Sequence, residues 1–345
     1  MLYDVVVIGG GQAGLAVGYY LKQTDHHFLI IDENQQTGDS WRNRYDSLTL
    51  FTPRFYSALP SLPLKGAPNG YPSKDEIANY LCQYAKSFEL PILHGIKVLL
   101  LTKKKDIFNI ETNDKVYYAK KVIIATGAFH SPFIPSIGSS IEGDQSIFSI
   151  HAAHYKNSFQ IPKGTVLIVG AGNTGVQIAA ELSHSHQVIL SKGHKMKILP
   201  GKILTKSIFQ WFDWSGLSKV NANSFIGRWL QKNDPIIGGD IKRVKKQVIL
   251  AERLKSLQQN VATFIDGRTI KFHSIIWATG YKNTYEWIQV NQALDKNGQP
   301  LHNEGISPVN GLYFIGLSWQ RKRGSALIHG VEEDAEFIVK HIVLN

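Results

Sequence analysis

Two stretches of the chain share one pattern of apolar and polar positions. Val5-Val6-Val7-Ile8 is an unbroken apolar run that enters Gly9-Gly10-Gly11-Gln12-Ala13-Gly14 and continues as Leu15-Ala16-Val17-Gly18-Tyr19-Tyr20-Leu21. A short apolar run closed by glycines and followed by helical periodicity predicts a buried strand, a tight turn and a helix. The pattern returns at Thr165-Val166-Leu167-Ile168-Val169, Gly170-Ala171-Gly172-Asn173-Thr174-Gly175 and Val176 to Leu182. Both copies close alike. Ile107 to Thr112, a turn at Asn113-Asp114 and Val116 to Ala119 predict a hairpin feeding the strand Val122 to Ala125, which ends in Thr126-Gly127. In the second copy, Val261 to Ile265, Asp266-Gly267 and Thr269 to Phe272 lead to Ile275-Ile276-Trp277-Ala278-Thr279-Gly280. The chain is therefore expected to be α/β, an internal repeat of two Rossmann-like dinucleotide-binding units.

The glycines carry the chemistry. The first of each trio, Gly9 or Gly170, permits the turn; the second, Gly11 or Gly172, lets backbone approach a pyrophosphate; the third, Gly14 or Gly175, lets the helix pack on the strand. The N–H groups that open the helix, around Gln12 and Ala13 or Asn173 and Thr174, then face the phosphates. Thr126-Gly127 and Thr279-Gly280 bring backbone close to the same ligands.

The residues at the end of the second strand distinguish the copies. Phe28-Leu29-Ile30-Ile31 ends in Asp32, about 20 residues beyond the glycines, where a carboxylate accepts hydrogen bonds from ribose hydroxyls, with Glu33 as the alternative. Val188-Ile189-Leu190 ends in Ser191-Lys192, and no carboxylate follows Glu181 until Asp213, while Lys192, His194, Lys195 and Lys197 supply donors. Cationic groups there accommodate a 2′-phosphate, so the second nucleotide is expected to be NADP(H) and the first is not.

Between these units the pattern is less regular. The segment after Asp32 is a long loop rich in aromatic residues and prolines (Trp41, Tyr45, Phe51, Phe55, Tyr56; Pro53, Pro60, Pro63, Pro68), a length that often marks function, although packing around an irregular segment explains it equally. Ser73 and Glu76 form a capping box ahead of a scaffold helix with Ile77, Leu81, Tyr84, Ala85 and Phe88 on one face. Residues from about 200 to 245 form an insertion with Trp211, Trp214, Trp229, Phe209, Phe212 and Phe225 among lysines. Helices packed over the second unit or the substrate entrance are the favoured reading, with a surface for lipid or a partner left open. Near the end, Gly311 to Gly316 predicts a strand, and Gly324-Ser325 is read as the start of a helix from Ala326 to about Ile342, whose dipole suits an electron-rich ligand edge.

With 345 residues, 43% of them hydrophobic, the chain has enough material for a large core and two domains. The formal charge of +11 suits an anionic partner without naming one. It is spread along the chain, and nucleotide phosphates account for part of it, so nucleic acid is not an expected partner. Cys82 is the single cysteine, which removes disulfides, a thiolate metal cluster and a redox dithiol and points to a reducing compartment. No metal site is expected. The N-terminus lacks the order of a signal peptide, and no run of about 18 apolar residues occurs, so a cytoplasmic protein without a transmembrane segment is expected. Peripheral membrane contact and a homodimer stay open.

The motifs resemble those of a known group. Two fingerprints with paired Ala-Thr-Gly strands and Gly311-Leu312-Tyr313-Phe314-Ile315-Gly316 near the end resemble the two-domain flavoproteins of the glutathione-reductase type. Gly38-Asp39-Ser40-Trp41, His151-Ala152-Ala153-His154-Tyr155 and Trp277-Ala278-Thr279-Gly280-Tyr281 are similar to motifs of class B flavin-dependent monooxygenases. Tyr71-Pro72-Ser73-Lys74-Asp75-Glu76 and Gly316-Leu317-Ser318-Trp319-Gln320 resemble the short bacterial members labelled as flavoproteins of potassium transport or cation efflux. The chain departs from the wider pattern in two places. Gln145 and Ile147 stand where the monooxygenase fingerprint has Phe and Gly, and Leu50-Phe51-Thr52-Pro53 offers no Asn of the kind that supports oxygenated flavin in the animal members.

The resemblance implies an FAD domain over 1–157 and 281–345, an NADPH domain over 158–280, and a cleft between them. By it, Gly9, Gly11, Gln12, Ala13, Gly14, Asp32, Glu33, Trp41, Thr126, Gly127, Gly316, Gly324 and Ser325 hold FAD. Gly170, Gly172, Asn173, Thr174, Gly175, Ser191, Lys192, Thr279 and Gly280 hold NADPH. It implies an NADPH-dependent monooxygenase that uses O₂, through a C4a-peroxyflavin, to oxygenate a small organic substrate. Reduction of a quinone, metal or carrier protein, or non-catalytic redox sensing, are the alternatives. The cofactor carries the reaction, so no catalytic side chain is assigned; His151 and His154 fit satisfied structural roles better than proton transfer or metal ligation.

Overall fold

The computed structural model describes residues 1–233, 235–238 and 241–345 of the chain. Residues 234, 239 and 240 of the Trp-rich insertion lie outside the described residues. Two sheets organise the molecule. In the first, Leu2–Ile8 lies between Phe28–Ile31 and Val116–Ile124, parallel to both, and Ile92–Leu93 extends the edge beyond Phe28–Ile31. Val5 to Val7 and Phe28 to Ile31 are buried, as strands covered on both faces must be. The helix Gln12–Leu21 and the C-terminal helix Val331–Leu344 cover one face with Leu15, Val17, Val331, Ala335 and Ile338. Tyr285, Ile288, Val290 and Ala293 cover the other.

Val116–Ile124 is one continuous strand that, besides Leu2–Ile8, serves two further partners. Its first half pairs antiparallel with Ile107–Thr112, and its second half pairs in parallel with Leu312–Phe314. Val98–Lys104, which the apolar pattern does not single out, adds a third antiparallel strand beside Ile107–Thr112.

The second sheet is wholly parallel, in the order Ile249–Ala251, Gln187–Ser191, Thr165–Val169, Ser274–Trp277, Phe148–His151. The boundary expected at residue 157 leaves Phe148–His151 with the first unit. The structure places this strand on the outer edge of the second sheet, because Ile147, Ala152 and Tyr155 bury in that unit's core. The hairpin over Val261–Phe264 and Thr269–Lys271 forms, joined by Leu254–Gln258.

The helix Lys74–Ser87 starts where its capping box predicts. Ser73 Oγ accepts from Glu76 N at 3.3 Å, and Glu76 Oε2 accepts from Ser73 N at 2.8 Å. The C-terminal helix starts later than expected, at Val331 and not Ala326. Gly324 and Gly330 cross so closely that a Cβ on Gly330 would overlap the Gly324 carbonyl, which forces a turn over the intervening residues. Ser325 lies inside that turn and its hydroxyl oxygen accepts from Arg321 N and Lys322 N, both at 3.1 Å. Among the described residues no helix is long and apolar enough to cross a membrane.

Replacing Ser73 by Ala removes one half of the capping box. The expected loss is about 1 kcal/mol of stability, read as a lower denaturant midpoint. An unchanged midpoint would show that tertiary packing alone holds the start of this helix.

Candidate functional site

The two fingerprints fold into the same cradle. Gly9 and Gly170 take φ of +110° and +108°, in the left-handed region, and a Cβ on Gly9 would stand 2.6 Å from Ala125 O. A Cβ on Gly14 would overlap the Gly9 carbonyl, and one on Gly175 the Gly170 carbonyl, so each helix lies directly on its turn. Gly11 and Gly172 differ from these. Among the described residues, a Cβ at either would meet no heavy atom within 4 Å apart from its chain neighbours. Glycine at these two positions is thus not required by packing within the chain.

Both glycines are also the N-caps of their helices, with no side-chain cap and no acid in the first turn. The first-turn N–H groups at Gln12 to Gly14 and Asn173 to Gly175 are left for an anionic ligand. Two buried atoms beside these cradles, Thr126 Oγ1 and Asn173 Oδ1, have no hydrogen-bond partner among the described residues. Gly127 and Gly280, with φ of +74° and +81°, leave open space at the ends of the strands that close each unit. Open glycines, uncapped helices and orphaned polar atoms fit a dinucleotide at each fingerprint.

Around the first cradle, Asp32 is 8% exposed. One of its oxygens accepts from Gly10 N, the other from Asn34 N and Asn34 Nδ2, both at 2.7 Å. A carboxylate has about four lone-pair sites, so acceptor capacity remains for ribose hydroxyls. Glu33, next in the chain, is exposed. Trp41 Nε1 donates to Gln12 Oε1 at 3.3 Å, and Gln12 Nε2 donates to Ala326 O at 3.0 Å, which ties the aromatic loop and the C-terminal turn to the first fingerprint helix. Gly316, with φ of +79°, packs against Ala13. Gly324 and Ser325 serve the turn that precedes the last helix and do not stand at its start, which corrects the expected placement.

In the second unit Thr279 Oγ1 donates to Phe133 O. Ser191 Oγ donates to Glu252 O at 2.9 Å, and Lys192 Nζ pairs with Glu252 Oε1 at 2.7 Å. The strand itself ends in Ser191 without an acid, as expected, and the fold brings a carboxylate beside it from the end of a strand about sixty positions away. His151 accepts at Nδ1 from Ala153 N and donates from Nε2 to Gly280 O at 3.0 Å, which fixes a neutral tautomer. Burial also holds its pKa below the ordinary histidine value, so its role is structural.

The aromatic loop joins the two units. Tyr45 OH donates to Gln177 Oε1 at 2.6 Å, Ser47 Oγ to Glu181 Oε2 at 2.5 Å, and Arg44 to Tyr281 OH at 3.0 Å. The loop's other side meets the insertion. Phe51 and Tyr56 pack on Phe209 of the helix Ile208–Trp214, and His329 lies edge-on to both Tyr56 and Phe209, at 5.4 and 5.8 Å. The packing expected of the insertion holds for Ile208 and Phe209, which are buried, and not for Phe225 and Trp229, which are 88% and 58% exposed. No motif points to His329, because nothing in its local sequence marks it. Burial, reinforced by Lys322 and Arg323 nearby, lowers its pKa to about 4 against the opposing pull of Asp213 and Glu333, so it is uncharged at neutral pH.

Comparison with known proteins adds relatives to this geometry. The pyridine nucleotide-disulphide oxidoreductase family pattern matches residues 6–198. A CzcO-like oxidoreductase of Geobacillus kaustophilus is 48% identical over 345 residues, covering 99% of both chains. The indole-3-pyruvate monooxygenase YUCCA4 of Oryza sativa subsp. japonica is 25% identical over 388 residues, covering 98% of this chain and 87% of the rice protein. The solved flavin-containing monooxygenase from Stenotrophomonas maltophilia superposes with a TM-score of 0.82 at 26% identity, covering 99% and 98% of the two chains.

Variants at Gly11 and His329 test this geometry. Gly11→Val places its side chain in open space, so the apoprotein is expected to keep its circular dichroism while the purified protein loses its yellow colour. A fully yellow variant would sink the assignment of that cradle. For His329, the ordinary pKa of about 6.5 applies when unfolded, so the unfolded chain binds more protons between pH ~6.5 and ~4. The contribution of neutral His329 to stability is complete above that window and is lost as pH falls through it. His329→Asn is expected to reduce the stability loss between pH 7 and 5 by on the order of 1–2 kcal/mol relative to the unmodified protein, measured by urea titration at both values. Parallel losses in both proteins would refute the burial of an uncharged imidazole.

Proposed function

The chain belongs to the pyridine nucleotide-disulphide oxidoreductase family, among the CzcO-like oxidoreductases, and we propose that it is an NADPH-dependent flavin monooxygenase acting on a small organic substrate. FAD occupies the first cradle and NADPH the second. When bound, they supply hydride transfer and oxygen activation, while the protein supplies position and shelter. Gln12, Ala13 and Gly14 present their N–H groups to the FAD pyrophosphate, Asp32 takes the ribose, and Thr126 and Gly127 border the same ligand. Asn173, Thr174 and Gly175 do the same for NADPH, with Ser191, Lys192, Thr279 and Gly280 around it. Trp41, held by Gln12, lies beside the flavin site.

The observation that carries the reading is the cluster of Phe51, Tyr56, Phe209 and His329 between the aromatic loop and the insertion. Oxygen transfer requires that water be kept from the reacting centre, and a packed aromatic cluster holding an uncharged imidazole suits that task. The whole-length likeness to a flavin-containing monooxygenase supports the same reaction. A dithiol route to a disulfide substrate has no support, because Cys82 is the one cysteine of the chain.

The test is stopped-flow absorbance. Protein reduced anaerobically with NADPH and mixed with oxygenated buffer is expected to give a transient spectrum distinct from both oxidised and reduced flavin. Direct return to the oxidised spectrum, with faster turnover on quinones or dyes, would replace the monooxygenase by a reductase.

A further inference from the structure

The ion pair at the end of the second unit's second strand bears on which nucleotide the chain accepts. Gln187–Ser191 and Ile249–Ala251 run parallel with Ser191 opposite Ala251, so the next residues, Lys192 and Glu252, emerge side by side. Lys192 N donates to Ala251 O at 3.1 Å, Ser191 Oγ donates to Glu252 O at 2.9 Å, and the side chains meet at 2.7 Å. The carbonyls of Ala251 and Glu252 are thus held by Lys192 N and Ser191 Oγ, which fixes the backbone from which the Glu252 side chain reaches Lys192. A cavity of about 170 Å³ opens at the same edge, with Lys192, Lys195 and Lys245 as its cations and Met196, Val244 and Leu250 as apolar lining.

We infer that Glu252 is the specificity-determining residue of the second nucleotide site, competing with a ribose 2′-phosphate for Lys192. This rests on the reading of that site as the one for NADPH. A 2′-phosphate that takes Lys192 must displace the carboxylate and then faces it as a like charge. A 2′-hydroxyl has no such conflict, since it donates to Glu252 while the ion pair stays in place. Lys195 and Lys245 supply the positive charge that offsets the conflict for the phosphorylated nucleotide. The site thus admits both forms of the coenzyme, and Glu252 narrows the preference for the phosphorylated one.

The test is calorimetric titration of the flavin-loaded protein with 2′,5′-ADP and with 5′-AMP, which needs no turnover. Glu252→Gln keeps the side chain's size and its hydrogen-bonding carbonyl, and its charge is lost from a partly exposed pair, so folding is expected to be preserved. It should tighten 2′,5′-ADP by about fivefold and change 5′-AMP by less than about twofold. Lys192→Ala should weaken 2′,5′-ADP and spare 5′-AMP. Equal changes for both ligands in Glu252→Gln, or none, would overturn the role of Glu252 while leaving the site assignment standing. If Lys192→Ala also fails to separate the ligands, or the unmodified protein does not bind 2′,5′-ADP, the NADPH assignment falls and the role of Glu252 with it.

Discussion

Everything at the two cradles depends on the absence of a side chain at Gly14 and Gly175. With hydrogen in place of Cβ, each helix lies on the carbonyl of the glycine that opens its turn, and it starts at the carboxyl end of an interior strand. The N-caps, Gly11 and Gly172, stand in open space and carry no side chain, so neither helix is capped. The helix Lys74–Ser87, by contrast, starts with a full capping box of Ser73 and Glu76. A glycine N-cap costs only about a few tenths of a kcal/mol relative to a capping side chain. The burial of Leu15, Val17, Val176 and Ile178 on the sheets offsets that cost, and the first-turn N–H groups stay open to an anion.

The aromatic loop holds the two cradles in relation to one another. Its polar groups Tyr45 and Ser47 reach the second unit by donating to Gln177 and Glu181 of the helix that carries the second fingerprint, and Arg44 donates to Tyr281 just beyond that unit. Its apolar groups, Phe51 and Tyr56, turn towards the insertion. A connector of this length usually lies loosely over the surface. Here its polar side ties the two units together, and its aromatic side packs on Phe209 of the insertion.

Local pattern makes most of the frame legible. The glycine trios, the apolar runs and the hairpin turns each lie within about thirty residues, where a strand, turn and helix announce themselves by spacing. Phe148–His151 is not legible as part of the second sheet, because its alternation carries no mark of which neighbour it joins. Val98–Lys104 escapes the pattern although its apolar run is as clear as others, its polar end reading as loop. The start of the last helix is misplaced by local pattern because Gly324-Ser325 looks like a cap, while its backbone crossing with Gly330 makes it a turn. Glu252 and His329 have local surroundings that say nothing of Lys192 or Tyr56. Their roles arise from strand register and from the closing of three distant segments on one point.

The two sites share a backbone and differ at their rims, and the difference is electrostatic. Glycine geometry recognises a pyrophosphate, which both coenzymes possess, so the cradle selects for dinucleotides and cannot tell one from another. Discrimination falls to the residue at the end of the second strand. In the first unit that residue is Asp32, buried and bonded to the turn itself through Gly10 N, so its carboxylate is part of the cradle and cannot yield to a phosphate. In the second unit the strand ends in a cation whose partner acid comes from the neighbouring strand and is 40% exposed in its side chain. A carboxylate tied to the turn is a fixed rule against a 2′-phosphate, whereas one tied to a lysine at the surface is a competitor that a stronger anion displaces. Under the proposed assignment of the two sites, the same fold would carry one rigid and one adjustable nucleotide preference, set by where the acid is anchored.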